Sequence, residues 1–243
     1  MKRIFLSFAV LIGVATLTAQ EPLFIFHQAP SGGAAPSFVS GSAGYCNGSN
    51  YSATSQACSS SLAGALNDWI VDIYSTGNAS TPTIGVSSGS ACAVSSWNTG
   101  SVENGANFSV GKITTAGASN CYPQVSTGTA TALWIEAAEV TGVSAGIANA
   151  ISMTTLLSTA SPSCSAITTA SNNDLVICGL IDADANNKSF TAGGTGATFA
   201  IQGQGAFGAA IEGAAVSSSG SNVTPSATYA ITSGIVTGDV SLH

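Results

Sequence analysis

The sequence predicts an all-β chain, an antiparallel, jelly-roll-like β-sandwich stapled by disulfides. Three observations lead there. Ala, Ser, Thr and Gly dominate, while the helix formers Lys, Glu, Gln, Arg and Met are scarce. Short apolar or alternating runs recur between clusters of Gly, Ser, Asn and Pro. Six cysteines, an even number, follow a leader built for export, and disulfides are the expected state there.

Lys2 and Arg3 precede an apolar run from Ile4 to Leu17 that closes on Thr18 and Ala19, the layout of a secretory signal peptide. Residues 1–19 are therefore expected to be removed. The run is shorter than the roughly 20 apolar residues of a membrane span. No second stretch reaches that length, so no membrane span is expected. Residues 20–37, with Pro22, Pro30, Pro36 and the Gly32-Gly33 pair, predict a flexible leader. Residues 38–243 are expected to form a single β-sandwich domain.

Within that domain the expected strands are Asp68–Ser75, Thr83–Ser87, Asn107–Thr114, Ala132–Thr141, Asp174–Asp182, Ala197–Gln204, Ile211–Val216, Ser226–Ser233 and Gly238–His243. Ala145–Leu157 predicts a loop plus strand, with a short helix as the alternative. From Trp69 to Tyr74 the odd-numbered residues are apolar, which predicts Trp69, Val71 and Ile73 buried and Asp72 facing water. Leu175–Ile181 is apolar on both faces and predicts a central strand covered on both sides.

The cysteines are Cys46, Cys58, Cys92, Cys121, Cys164 and Cys178. Zinc is the rival to disulfides, and it fails because the chain has no CxxC pair and only His27 and His243 as histidines. Proximity along the chain predicts Cys46–Cys58, Cys92–Cys121 and Cys164–Cys178. For the last pair a hairpin is expected, with Ser165–Ala170 and Asp174–Ile177 joined by a turn at Ser171-Asn172-Asn173.

Loss of the signal removes half of the four basic residues. Lys112 and Lys188 remain against eleven acids, a formal charge of −9 with no arginine. Nucleic acid is thereby excluded as an expected partner, because phosphate contacts need Lys or Arg in number. An anionic membrane surface is disfavoured for the same reason.

Three segments carry a resemblance. Gly64 to Tyr74 (GALNDWIVDIY), Ala132 to Gly142 (ALWIEAAEVTG) and Ile167 to Ile177 (ITTASNNDLVI) are similar to the core strands of uncharacterised secreted bacterial β-sandwich domains rich in Ser, Thr and Gly. The tail from Thr228 to Leu242 resembles that group's closing strand pair. The resemblance implies the fold and carries no catalytic residue. The six cysteines and the near-absence of arginine depart from the group's pattern.

No catalytic constellation stands out. A Ser-His hydrolase needs a rigidly held base, but His27 lies in the leader and His243 is the last residue. Glu136 and Glu139 are the tempting carboxylate pair for glycoside hydrolysis. Three residues apart on a strand, they are expected to point to opposite faces. Asp68, Asp72, Glu136, Glu139 and Glu212 are expected at the solvent, where most acids lie. Asp182, Asp184 and Asn186 offer the Asp-x-Asp-x-Asn spacing that a calcium ion accepts. The calcium-loop pattern is half present, because Asn187 stands where glycine is wanted and Gly193 where glutamate is. A polar turn after a central strand explains the same residues. Trp97, flanked by polar residues, and Trp134, alternating away from Leu133 and Ile135, are the candidate sugar-stacking rings, against core packing as the alternative. Tyr45, Tyr51 and Tyr122 fall in cysteine-bearing loops.

The reading these features favour is a non-catalytic secreted or surface module that binds a neutral polysaccharide, a surface polymer or its own copies, with no cofactor unless calcium. The alternatives are a secreted hydrolase using carboxylates such as Glu136, Glu139 or Asp182, and a self-assembling structural or ice-binding protein.

Overall fold

The structure is a computed structural model. It describes residues 34–77, 81–184, 186–205 and 208–243, and all side chains among them except those of 155–157. They belong to one unit, Gly32–His243. The signal and the leader up to residue 33, His27 included, lie outside the described residues.

The first half of the chain builds one antiparallel sheet from β1 (Ser37–Phe38), β2 (Tyr45–Ala57), β3 (Trp69–Thr76), β4 (Thr83–Val86), β5 (Ala93–Thr99), β6 (Ala106–Thr115) and β7 (Pro123–Thr141). Its spine is β7. Leu133 to Ala138 run between β2 and β3, and residues 124–126 between the end of β2 and β4. Beyond β3 lie β6 and then β5 at the edge.

The second half supplies β8 (Ile147–Thr159), β9 (Ile167–Thr168), β10 (Asp174–Asp182), β11 (Phe190–Thr195), β12 (Ala200–Gln204), β13 (Ala209–Val216), β14 (Asn222–Tyr229) and β15 (Ser233–Leu242). Five of these form a sheet in the order β12-β13-β10-β15-β8, and three form a smaller one in the order β11-β14-β9. All pairings are antiparallel, and among the described residues there is no helix and therefore none that could cross a membrane. The expected all-β antiparallel sandwich stapled by disulfides is what the chain forms. It completes the first sheet before it starts the other two.

Burial orders the layers. Val71, Ile73, Phe108, Val110, Ala138 and Val140 of the first sheet meet Leu175, Ile177, Ile211, Val236 and Val240 of the five-stranded sheet in the central core. The far face of the five-stranded sheet is covered by the small one, through Leu180, Phe190, Ala210 and Tyr229 in one cluster and Val176, Phe199, Ala214 and Val223 in another. Strand β10 is consequently buried at every residue, as its two-faced apolar run predicts.

The first sheet has an inner core as well. Ile70, Tyr74, Ile113, Leu133, Ile135 and Ala137, on its other face, pack with Leu62, Val125 and four of the cysteines, all from residues 46–137. Both faces of β3 are therefore covered, and Asp72 is fully buried instead of facing water. The period-two reading failed because Ile70 and Tyr74, on the face of Asp72, are core residues too.

The cysteines pair as Cys46–Cys58, Cys92–Cys121 and Cys164–Cys178, with Cα separations of 5.6, 5.2 and 6.1 Å. The expected hairpin around the last bridge is not present. Strand β9 pairs with β14, whereas β10 pairs with β13 and β15. The bridge ties the segment after β8 to the central strand beneath it. Residues 147–159 form strand β8, so the strand option holds over the helix.

Candidate functional site

A cleft of about 360 Å³ opens in the first sheet, lined by Tyr74, Thr81, Pro82, Thr83, Ile84, Trp97, Thr99, Gly100, Val102 and Asn107. Each wall has a local cause. Asn104 and Gly105 both have positive φ, 50° and 75°, and form the two-residue turn that starts β6. That turn places Asn107 opposite Tyr74 of β3. Trp97, on the edge strand β5, pairs with Gly111, and a β-carbon at Gly111 would stand 2.9 Å from its indole. A glycine is what allows the half-buried ring to lie flat on the sheet here. Among the described residues the lining carries no acid, lysine, arginine or histidine. It combines two aromatic rings with threonine hydroxyls and one amide, the chemistry of sites that hold neutral polar ligands.

Behind the cleft the polar ladder continues inward. The Ser109 hydroxyl donates to Tyr74 Oη at 3.3 Å. Ser109 is the register partner of Asp72. Neither carboxyl oxygen of Asp72 has a hydrogen-bond partner, and burial pushes this carboxyl well above the usual carboxylate range. Burial, then the nearby Asp72, raises the Tyr74 phenol also, which keeps it neutral.

Trp134 is not part of this site. It points away from Leu133 and Ile135 as its alternation predicts, but that direction leads to the central core, against which it packs half-buried. Trp69 is half-buried against the same core. Tyr51 is exposed, and Tyr45 donates a hydrogen bond to Glu136.

The acids depart furthest from expectation. Asp68, Asp72, Glu136, Glu139, Asp174, Asp182, Glu212 and Asp239 are all buried, eight of the chain's eleven. Glu136 and Glu139 do project to opposite faces. Glu136 meets Tyr45 and the Gly205 amide, and burial raises its carboxyl. Glu139 accepts the Gly64 and Ala65 amides at 2.8 and 2.9 Å and shares a hydrogen bond with Asp68, and burial again raises it. The expectation of solvent-exposed carboxylates fails because these strands lie between two packed layers. For Glu136 and Glu139 polar partners from the backbone replace water, whereas Asp72 has none.

Asp182, Asp184 and Asn186 are brought together, but around donors from the chain itself. Asp182 accepts Ser233 Oγ at 2.6 Å, Tyr229 Oη at 2.7 Å, the Asp184 and Asn186 amides, and Asn186 Nδ2. Burial acts to raise its carboxyl, but these hydrogen bonds outweigh it and hold it below the ordinary value. Asp184 Oδ2 accepts the Gly234 amide at 3.1 Å. The cluster locks the turn after β10 onto β14 and β15. His243 Nδ1 lies 3.2 Å from Asp174 Oδ1.

Tyr74 and Asn107 escaped the sequence reading because each looks like an ordinary strand residue. The signal available was the Asn104-Gly105 turn, which fixes their register.

No family model, curated protein or solved structure matches this chain.

Proposed function

We propose that the protein is a secreted, non-catalytic module that holds a neutral carbohydrate in the cleft beside Trp97. The observation that carries this reading is the lining itself: a Trp and a Tyr ring, three threonines and an asparagine, with no ionisable group among the described residues except the Tyr74 phenol. An aromatic face takes the apolar side of a sugar ring, while hydroxyls and the amide take its rim. The three disulfides and the export-type leader support an extracellular setting, and the resemblance to secreted bacterial sandwich domains agrees with it.

The test is calorimetric titration of the mature protein with a panel of neutral oligosaccharides. At least one member is expected to bind, with Trp97→Ala lowering the affinity by about tenfold or more and Trp134→Phe leaving it unchanged. Failure of every sugar to bind overturns the reading.

A further inference from the structure

We propose that Asp72 is a positioning residue of the cleft, acting through Ser109 and Tyr74 to set the pH range over which the cleft keeps its ligand-holding shape. This rests on the carbohydrate reading for its ligand, but its structural part can be tested without one.

Asp72 is fully buried, and both of its oxygens lack a partner. It stands two residues before Tyr74 on β3, so the pleat puts both side chains on the same face about 7 Å apart. Directly opposite on β6 is Ser109, whose hydroxyl is bonded to Tyr74 Oη. The three residues form a corner, and only Tyr74 reaches the cleft.

Among the described residues the surroundings supply no countercharge. On its own strand the titratable neighbour is Tyr74. On β7 the opposite residue is Ala137, with Glu139 one step along the same face and bonded to Gly64 and Ala65. On β6 the face holds Asn107, Ser109 and Gly111, while Lys112 belongs to the other face. The inner core also holds Leu62, Ile70, Ile113, Val125, Leu133 and Ile135 with two disulfides. An ionised Asp72 would be a buried charge with nothing to pair with, so it is held as the neutral acid. The proton it keeps sits on an oxygen with no hydrogen-bond partner.

Removal of that proton forces the carboxylate to find water. The route is past Tyr74, because the other sides are packed core. Tyr74 forms part of the cleft wall with Trp97, so the site deforms as Asp72 ionises. The cleft is intact at acidic pH and lost as the pH rises above the raised value of Asp72.

The experiment uses the mature protein labelled with 5-fluorotryptophan, the Trp97 resonance being assigned with Trp97→Phe. Across the pH range in which the protein stays folded, without ligand, the Trp97 resonance is expected to move with one midpoint above the ordinary carboxylate range while those of Trp69 and Trp134 stay. Asp72→Asn, which keeps shape without the charge, is expected to abolish the transition and to retain at the alkaline end the sugar affinity that the wild type loses by about tenfold. Ser109→Ala, which cuts the link, is expected to shift the midpoint and serves if Asp72→Asn does not fold. A pH-independent Trp97 resonance, or a midpoint unchanged in every variant that folds, overturns the proposal. Absence of sugar binding alone overturns only the carbohydrate reading.

Discussion

Gly179 of β10 and Gly238 of β15 are register partners, and together they form the seat on which Phe108 of the first sheet lies. A β-carbon at Gly179 would stand 2.7 Å from the Phe108 ring, and one at Gly238 would overlap its Cβ. Two adjacent strands thus give up side chains so that one ring can join the sheets. Gly179→Ala and Gly238→Ala are each expected to lower stability by about 1–3 kcal/mol through overpacking. Combined with Phe108→Leu, either is expected to cost less than the sum of the single changes, as a denaturant double-mutant cycle can measure.

Glu212 and Asp239 flank Cys178 from opposite sides, on β13 and β15. Burial pushes Glu212 up to about 8 against the pull of the Gly193 amide, and pushes Asp239 up to about 6 against hydrogen bonds from Ser165. Both hold their protons more tightly folded than unfolded. Their contribution is full below the ordinary carboxylate values and is lost as pH rises through about 6 and then about 8. The melting temperature is expected to be higher near pH 5 than near pH 9, and Glu212→Gln is expected to flatten the alkaline part of that decline. A melting temperature that climbs with pH over this range would refute the assignment.

The Asp182 cluster predicts the opposite sign. Its carboxyl is held low, so its contribution is present above the ordinary carboxylate value and lost as pH falls through the lowered one. Asp182→Ala strands Tyr229, Ser233 and Asn186 donors together, and a loss of about 3 kcal/mol is expected by denaturant unfolding. Because the carboxylate oxygens already accept five donors, calcium and a chelator are expected to give the same melting temperature. A rise of several degrees with calcium would show that the turn rearranges around the ion.

The Cys164–Cys178 bridge closes a loop of 14 residues, for which chain entropy predicts about 3 kcal/mol. Replacement of both cysteines by alanine is expected to cost that amount and to speed amide exchange first in β9 and β14, the strands laid over the bridge.

The residues that were legible in the sequence are those whose local pattern and tertiary role agree. Leu175 to Ile181 announces a central strand because nothing polar interrupts it, and the cysteines announce their partners because each pair is near in sequence. Strand β2 was missed, since Tyr45 to Ala57 has almost no apolar alternation and is held by β7 instead of by its own burial. The acids were misread for a different reason. A carboxylate in a strand normally marks the solvent side, and here Asp72, Glu136 and Glu212 lie between layers that sequence periodicity does not reveal. Trp97 was recognised as a candidate ring, but its cleft depends on Gly111 and on the Asn104-Gly105 turn, which matter only once β5, β6 and β3 are side by side.

The division of the chain into a finished first sheet and a later pair has a consequence for biogenesis. A polypeptide that emerges with its N-terminus first has every residue of the inner core, and both partners of two of its three bridges, within residues 37–141. The open side of that early sheet, with Val71, Ile73, Phe108 and Val140, must wait for β10 and β15. Until then that apolar face has no partner among the described residues of the first half of the chain.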